Sequence, residues 1–500
     1  MGVSLLRLAV LWILTSQTLS HALNTSSLLS YPTKPRVFIL SDISNEPDDQ
    51  ESLTRYLLYA NQFQTEGLVA TTSTWLRDKV HPEDMLTVIN AYGNVTANLN
   101  QHAPPNAQYP SGDYFRGILR RGAETYGIKA VGKNVTLSDG AKLLLERLQV
   151  PSDQPLWVLA WGGTNVLAQV LYKIHEIFPE DEAATLRARL RVYTISDQDD
   201  TGAWIRSNWP DIFYISSTHG WNQYGLAAWV GISGESYYGV DEGGPDGTTV
   251  THQWLRRNIQ IGPYGRFAYP DFKYIMEGDT PSFLYLIQNG LGEPENPGYG
   301  SWGGRYSKVD PSTASNYNHY SDAADRVIGL NNQSFRSNRA TIWRWRDTFQ
   351  SDFAARMQWS LPANAHRANH HPVLSVNGSA ELSPFKVTAL AGSTVHFDAG
   401  GTYDPDGDEL TYKWFQYQEP GSDYWNVAGL VPVLEVTTLN NGQQVQVGIP
   451  VASDSCNGRG DDPSGCWLLH LILEVKDNGL HPLTTYRRVL IQTTNETMAA

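Results

Sequence analysis

Cysteine is almost absent from this 500-residue chain: Cys456 and Cys466 are the only two, close together in a Gly/Asp/Ser-rich stretch. Two thiols with no further ligands nearby exclude a metal site there, and their closeness predicts one local disulfide in an oxidising compartment. Positive charge is scarce as well, with 37 Lys and Arg against 51 Asp and Glu and a net charge of −14. Such a surface repels nucleic-acid phosphates and anionic membranes, which argues against both as partners and favours a neutral ligand. Long apolar runs are missing too. The stretch Leu8–Leu14 is too short to span a bilayer, and no later segment is long or apolar enough. It follows Arg7 and leads into Ser20-His21-Ala22, the order of a secretory signal peptide over residues 1–22. The mature protein is therefore expected to be secreted, extracellular and soluble.

Other features are abundant. Sixteen Trp and 26 Tyr supply flat faces that stack on sugar rings, besides filling cores. Six N-x-Ser/Thr sequons, at Asn24, Asn94, Asn134, Asn332, Asn377 and Asn495, predict an N-glycosylated protein. The length exceeds what one hydrophobic core serves, so at least two domains are expected.

Compact apolar runs at 36–40, 67–70, 156–160, 191–195 and 212–215 read as buried parallel strands. Helical spacing follows at 48–61, 81–101, 139–148 and 165–178, and alternation of the two types predicts an α/β domain over 35–360. The Gly/Pro/Asn/Tyr-rich stretch 290–320 reads as a long loop, and 339–359 as closing helix. Residues 361–372, with His366, His370 and His371, read as a solvated linker. From 373 to 495 short alternating strands with turn residues predict an all-β sandwich. Within it Asp404-Pro-Asp406-Gly-Asp408 lacks the closing Glu of an EF-hand loop and reads as a tight turn before a strand.

Ligands of a parallel sheet bind at the strands' carboxyl ends, where the strongest motif lies. Leu40-Ser-Asp42-Ile-Ser-Asn-Glu46-Pro-Asp48-Asp49-Gln50 puts four carboxylates within eight residues, directly between the first strand and the first helix. Helix capping accounts for Asp48 and Asp49 but not for their clustering with Asp42 and Glu46. A bound divalent cation offsets the repulsion, and oxygen-only donors select Ca²⁺ or Mg²⁺ over zinc.

This motif resembles the Asp-x-Asp-x-Gly-x-Asp-Asp opening of nucleoside hydrolases, with Asn45-Glu46 inserted before Pro47 and the first aspartate replaced. Trp161-Gly-Gly-Thr164-Asn165 resembles that family's Gly-Pro-Leu-Thr-Asn turn, and Glu277-Gly278-Asp279 its late metal-binding segment. With its trailing Ig/PKD-like β-domain, the arrangement is similar to a secreted branch labelled cellulose-binding proteins with a nucleoside hydrolase-like domain. The resemblance implies a mostly parallel sheet flanked by helices. It also implies Ca²⁺ held by Asp42, Asp49, the Thr164 carbonyl and Asp279, with Asp42 activating water as the catalytic base. Asp48, Glu46, Thr74, Asn165, Asp199 and Glu277 form the expected substrate shell. The family's His before the late Asp is Gly278 here, which leaves Glu277, Glu46, Asp199 and His219 as candidates for the acid. Two functions follow as expectations. One is a Ca²⁺-dependent hydrolase of an N- or O-glycosidic bond in an extracellular sugar, such as a cell-wall furanoside or a nucleoside. The other is a non-catalytic cellulose- or polysaccharide-binding protein on the same scaffold.

Overall fold

Val37–Leu40 are four consecutive apolar residues without solvent exposure, and they form the heart of β1 (Arg36–Ser41). A strand buried on both faces needs neighbours on both edges, and β1 has them. The sheet comprises β1, β2 (Gln64–Ala70), β3 (Leu119–Arg121), β4 (Leu156–Ala160), β5 (Leu190–Ser196), β6 (Phe213–Ser217), β7 (Tyr306–Lys308) and β8 (His319–Asp322). Their order is β3-β2-β1-β4-β5-β6-β8-β7. All pairs are parallel except β7 with β8. This computed structural model describes residues 23–309, 317–362, 368–421, 428–460 and 462–495, so the expected signal peptide and His366 lie outside the described residues.

Helices Pro47–Leu57, Pro82–Gly93, Asp139–Gln149, Asn165–Ile177 and Thr201–Asn208 cover the sheet. The strand order reverses between β1 and β4, where loops leaving the two strands diverge and open a crevice. The acidic turn after β1 and the Trp161 turn after β4 both lie there. Pro47 presets the first helical turn, and Asp48 and Asp49 stand at its positive end. The stretch expected as a long loop differs: its Tyr and His residues build β7 and β8, which extend the sheet's edge, and Trp302 is buried. A hairpin of β9 (Asp325–Ile328) and β10 (Ser334–Ser337) precedes helices Ala340–Trp343 and Arg346–Trp359.

The second domain is a sandwich. One sheet, β11-β17-β16-β13, uses Phe385–Leu390, Thr484–Thr494, Leu468–Lys476 and Thr411–Gln416; the other, β12-β15-β14, uses Thr394–Asp398, Gln444–Gly448 and Glu435–Leu439. Alternate residues of β15 face inward, so Val445 and Val447 join Phe397, Trp414, Leu471 and Val489 in one core. Cys456 and Cys466 are disulfide-bonded. No helix among the described residues is long and apolar enough to cross a membrane.

The two domains share a core. Tyr417, Ile472, Leu483 and Tyr486 pack into the apolar cluster of the first domain. Arg488, fully buried, donates to the carbonyls of Leu291 (2.9 Å), Tyr299 (2.9 Å) and Gly300 (3.2 Å). The N–H groups of Tyr486 and Arg488 donate to Asn289 and Gly290, at 2.8 and 3.1 Å. Gly290 is required there: its φ is +85°, and a Cβ would stand 1.9 Å from the Tyr486 carbonyl oxygen. The expectation of a solvated linker also needs correction at His370 and His371, which are both buried. His371 pairs with the Asp352 carboxylate, and the His370 ring stacks on His102 and Trp359.

Candidate active site

Asp42 leaves β1 at the crevice floor, buried beneath the turn that follows β4. Asp48 and Asp49 come from the first helical turn, and Asp279 from the segment before the short helix Pro281–Leu284. Oxygens of Asp48, Asp49 and Asp279 lie within 4.8 Å of one another. Ser41 Oγ donates to Asp49 Oδ1 at 2.5 Å, which fixes one side of that carboxylate. Burial pushes the Asp42 carboxyl up to about 6, partly offset by the Ser73 hydroxyl. Burial, with Glu46 and Asp42 alongside, pushes Asp48 to about 7. Asp49 and Asp279 are driven well above the usual carboxylate range by burial first and then by the neighbouring aspartates. Besides burial, each of these carboxyls is thus raised by acidic neighbours. One oxygen, Asp279 Oδ2, is buried with no hydrogen-bond partner. An orphaned carboxylate oxygen aimed at two other carboxylates fits a hard divalent cation.

Above this floor opens a cavity of about 400 Å³. Asp42, Glu46, Asp48, Asp49 and Asp279 line its base, and its walls are aromatic. Trp75 and Trp221 are half exposed, with ring centroids 5.0 Å apart. Tyr237 and Tyr274 form a second exposed pair at 5.8 Å, with Tyr238, Tyr224 and Trp229 deeper. These rings enter from loops after β2 and β6 and from the segment before Asp279. Sequence reasoning counted aromatics without choosing these; their position beyond strand ends was the usable signal. Gly278 has no room for a side chain, because a Cβ there would stand 2.8 Å from Asp48 Oδ2 and 3.5 Å from the Trp229 ring.

The chain as a whole, from β1 to the sandwich, has relatives among known proteins. The family model "Cellulose-binding Sde182, nucleoside hydrolase-like domain" matches residues 36–306. The chain belongs to this family. The C-terminal domain of cellulose-binding protein Sde0182 matches residues 394–493. Among solved structures, a nucleoside hydrolase-related hypothetical protein from Saccharophagus degradans, associated with carbohydrate metabolism, is similar at 29% identity and TM-score 0.74. The match covers 92% of this chain and 100% of that one. The effector protein XOO4466 is similar at 13% identity and TM-score 0.27, over 66% of this chain and 93% of that one. Among curated proteins none matches the chain.

In this Sde182-family chain several residues expected around the ligand are engaged elsewhere. Glu277 is fully buried and takes a hydrogen bond from Arg55 Nη1 (2.7 Å) and another from the Tyr269 hydroxyl (2.7 Å), away from the cavity lining. Asp199 accepts from the Thr201 N–H (2.9 Å) and the Asn165 N–H (3.1 Å), so it pins two helix starts instead of facing sugar. Asn165 is consumed by Thr71, Thr72 and the Thr125 carbonyl. The Thr74 hydroxyl accepts from Arg77 at 3.0 Å. The Thr164 carbonyl accepts the Ala168 N–H at 2.9 Å, opening a helix, and Thr164 does not line the cavity. His219 pairs with Asp322 at 2.9 Å, also outside the lining. Of the expected shell, Asp42, Glu46, Asp48, Asp49 and Asp279 meet in the cavity, and Thr74, Thr164, Asn165, Asp199 and Glu277 frame the loops around it.

Proposed function

We propose that this protein is a secreted, Ca²⁺-dependent hydrolase that cleaves a glycosidic bond in an extracellular sugar, such as a furanoside of cell-wall polysaccharide. The observation that carries the reading is the cluster of Asp42, Asp48, Asp49 and Asp279, with Asp279 Oδ2 lacking a partner, at the base of an aromatic-walled cavity. Asp48, Asp49 and Asp279 would hold Ca²⁺, with Asp42 beside them. The ion's charge, when bound, holds sugar hydroxyls and acidifies water. Asp42 accepts the proton of the attacking water, a step of about 10²–10⁴-fold in rate. The surrounding carboxylates stabilise positive charge developing on the sugar ring, and direct attack by water inverts the anomeric carbon. Glu46, half-buried among the carboxylates at the cavity's base, is the leaving-group acid in this reading, since Gly278 admits no histidine. Burial raises its carboxyl while Lys273 pulls it down. Secretion is supported by the sequons: Asn24, Asn94, Asn134, Asn332, Asn377 and Asn495 are all exposed.

A specific observation favours a second reading, a cellulose-binding protein without catalysis. The exposed pairs Trp75–Trp221 and Tyr237–Tyr274 extend the cavity outward as a stacking surface, and the family carries the description cellulose-binding. Reducing-sugar release from nucleosides, aryl furanosides and wall polysaccharides, with and without Ca²⁺, decides between them. Release that needs Ca²⁺ and vanishes in Asp42→Ala supports the hydrolase. No release, with both proteins still retained on cellulose, refutes it in favour of the binder.

A further inference from the structure

A second acidic cluster lies where the connecting segment meets the β-domain. Asp404, Asp406 and Asp408 occupy the turn before β13, with carboxylate oxygens within 4.8 Å of one another. Turn geometry explains part of this. Asp404 Oδ1 accepts the N–H groups of Asp406 (2.8 Å) and Asp408 (3.0 Å), and Asp406 accepts the N–H of His370 (2.7 Å) and contacts its ring. The other oxygens are unexplained. Asp404 Oδ2 is buried without a partner.

Asn369, only 5% exposed, reaches the cluster from the connecting segment. Its Nδ2 donates to Asp477 Oδ1 (2.8 Å) and the His481 carbonyl (3.4 Å), two acceptors that fix the amide's orientation. Asn369 Oδ1 must then point the other way, and it too is buried with no donor. It and Asp408 Oδ2 each lie 2.5 Å from where a Cβ on Gly479 would stand, so they are at most twice that distance apart. Two electron-rich oxygens this near each other, neither with a hydrogen bond recorded among the described residues, repel unless a cation intervenes.

We propose that Asp404, Asp406, Asp408 and Asn369 form a second divalent-cation site, separate from the crevice cluster. The donors are all oxygen, three of them carboxylates in an adaptable turn, which selects Ca²⁺ over zinc and copper. The ion fastens the connecting segment, through Asn369, to the β-domain. This inference does not rest on the hydrolase reading.

The test counts Ca²⁺ bound per chain by equilibrium dialysis, using the whole mature protein and Ca²⁺ alone as the probe. Asp408→Asn keeps the side chain's shape and breaks no hydrogen bond among the described residues, so its fold is retained; Asp404→Asn is the second variant. Two ions are expected in the wild type, one in Asp408→Asn and one in Asp279→Asn. Ca²⁺ should also raise the melting midpoint of Asp279→Asn, and that rise should shrink when Asp408→Asn is added. One ion, lost in Asp279→Asn but kept in Asp408→Asn and Asp404→Asn, overturns this inference and leaves the crevice site standing. One ion lost only in Asp408→Asn does the reverse.

Discussion

Replacing Glu277 by Gln separates two roles for a residue that lies beside the cavity segment yet faces away from it. Arg55 is wholly buried, and its guanidinium contacts Glu277 Oε2 (2.7 Å), Gln350 Oε1 (2.9 Å) and the Phe349 carbonyl (2.6 Å). Phe353, Phe349 and Tyr59 enclose it, with ring centroids 4.4, 5.4 and 5.9 Å away. Glu277 is its ion-pair partner, both side chains wholly buried, while burial and Glu277 push the Glu51 carboxyl well above its ordinary value. Glu277→Gln therefore leaves a full positive charge in a dry aromatic cage with neutral acceptors. Breaking a buried pair in this way costs about 3–5 kcal/mol, a large share of the ~5–15 kcal/mol that holds a typical domain folded. Urea titration followed by tryptophan fluorescence measures the loss directly. Ligand affinity and turnover, corrected for the folded fraction, should change less than threefold. The double variant Arg55→Met/Glu277→Gln should recover part of the stability. A Glu277→Gln protein of unaltered stability but with abolished turnover would refute the argument and return Glu277 to the substrate.

The other predictions concern the crevice and the domain contact. Trp75→Ala and Trp221→Ala each remove a stacking face worth about 1 kcal/mol, roughly fivefold in sugar affinity, measurable by calorimetry with soluble oligosaccharides. Gly278→Ala drives a methyl group against Asp48 Oδ2; about 1–3 kcal/mol of overpacking should weaken Ca²⁺ binding at the crevice at least fivefold in a titration. Burial alone would raise the Asp352 carboxyl, but Arg356 and His371 outweigh it and hold the group below its ordinary value. A depressed carboxyl contributes its full stability at pH above its unfolded value, about 4, begins to lose it as pH falls below that, and has lost it all below the folded value. The urea midpoint should drop more between pH 7 and 3 in wild type than in Asp352→Asn, and equal drops would contradict the assignment.

The sheet was legible because buried parallel strands are written as unbroken apolar runs, as at Val37–Leu40 and Leu156–Ala160. The acidic turn was legible because charge repulsion depends on sequence spacing alone. Matching turns to a family singled out Thr74, Asn165 and Glu277, and the acidic stretch after β5 singled out Asp199, but neither fixed which way these side chains point. Whether Asp199 meets a sugar or two helix N–H groups depends on a φ/ψ choice that residue type does not encode. The aromatic wall escaped for a different reason: Trp75, Trp221 and Tyr274 lie far apart along the chain and meet only after folding. Composition misled at His370 and His371, where tertiary packing against Trp359 and Asp352 buries residues that look like solvated linker.

The joint between the domains has a mechanical consequence. Carbohydrate-binding modules on flexible tethers act as anchors on a leash, letting an attached domain sweep a volume set by linker length. Here Arg488 bridges three carbonyls of the first domain from the middle of β17, and Tyr486 sits in that domain's core. The two domains are in direct contact. Crevice and sandwich share one frame, so the openings and faces that each presents stand at one fixed spacing.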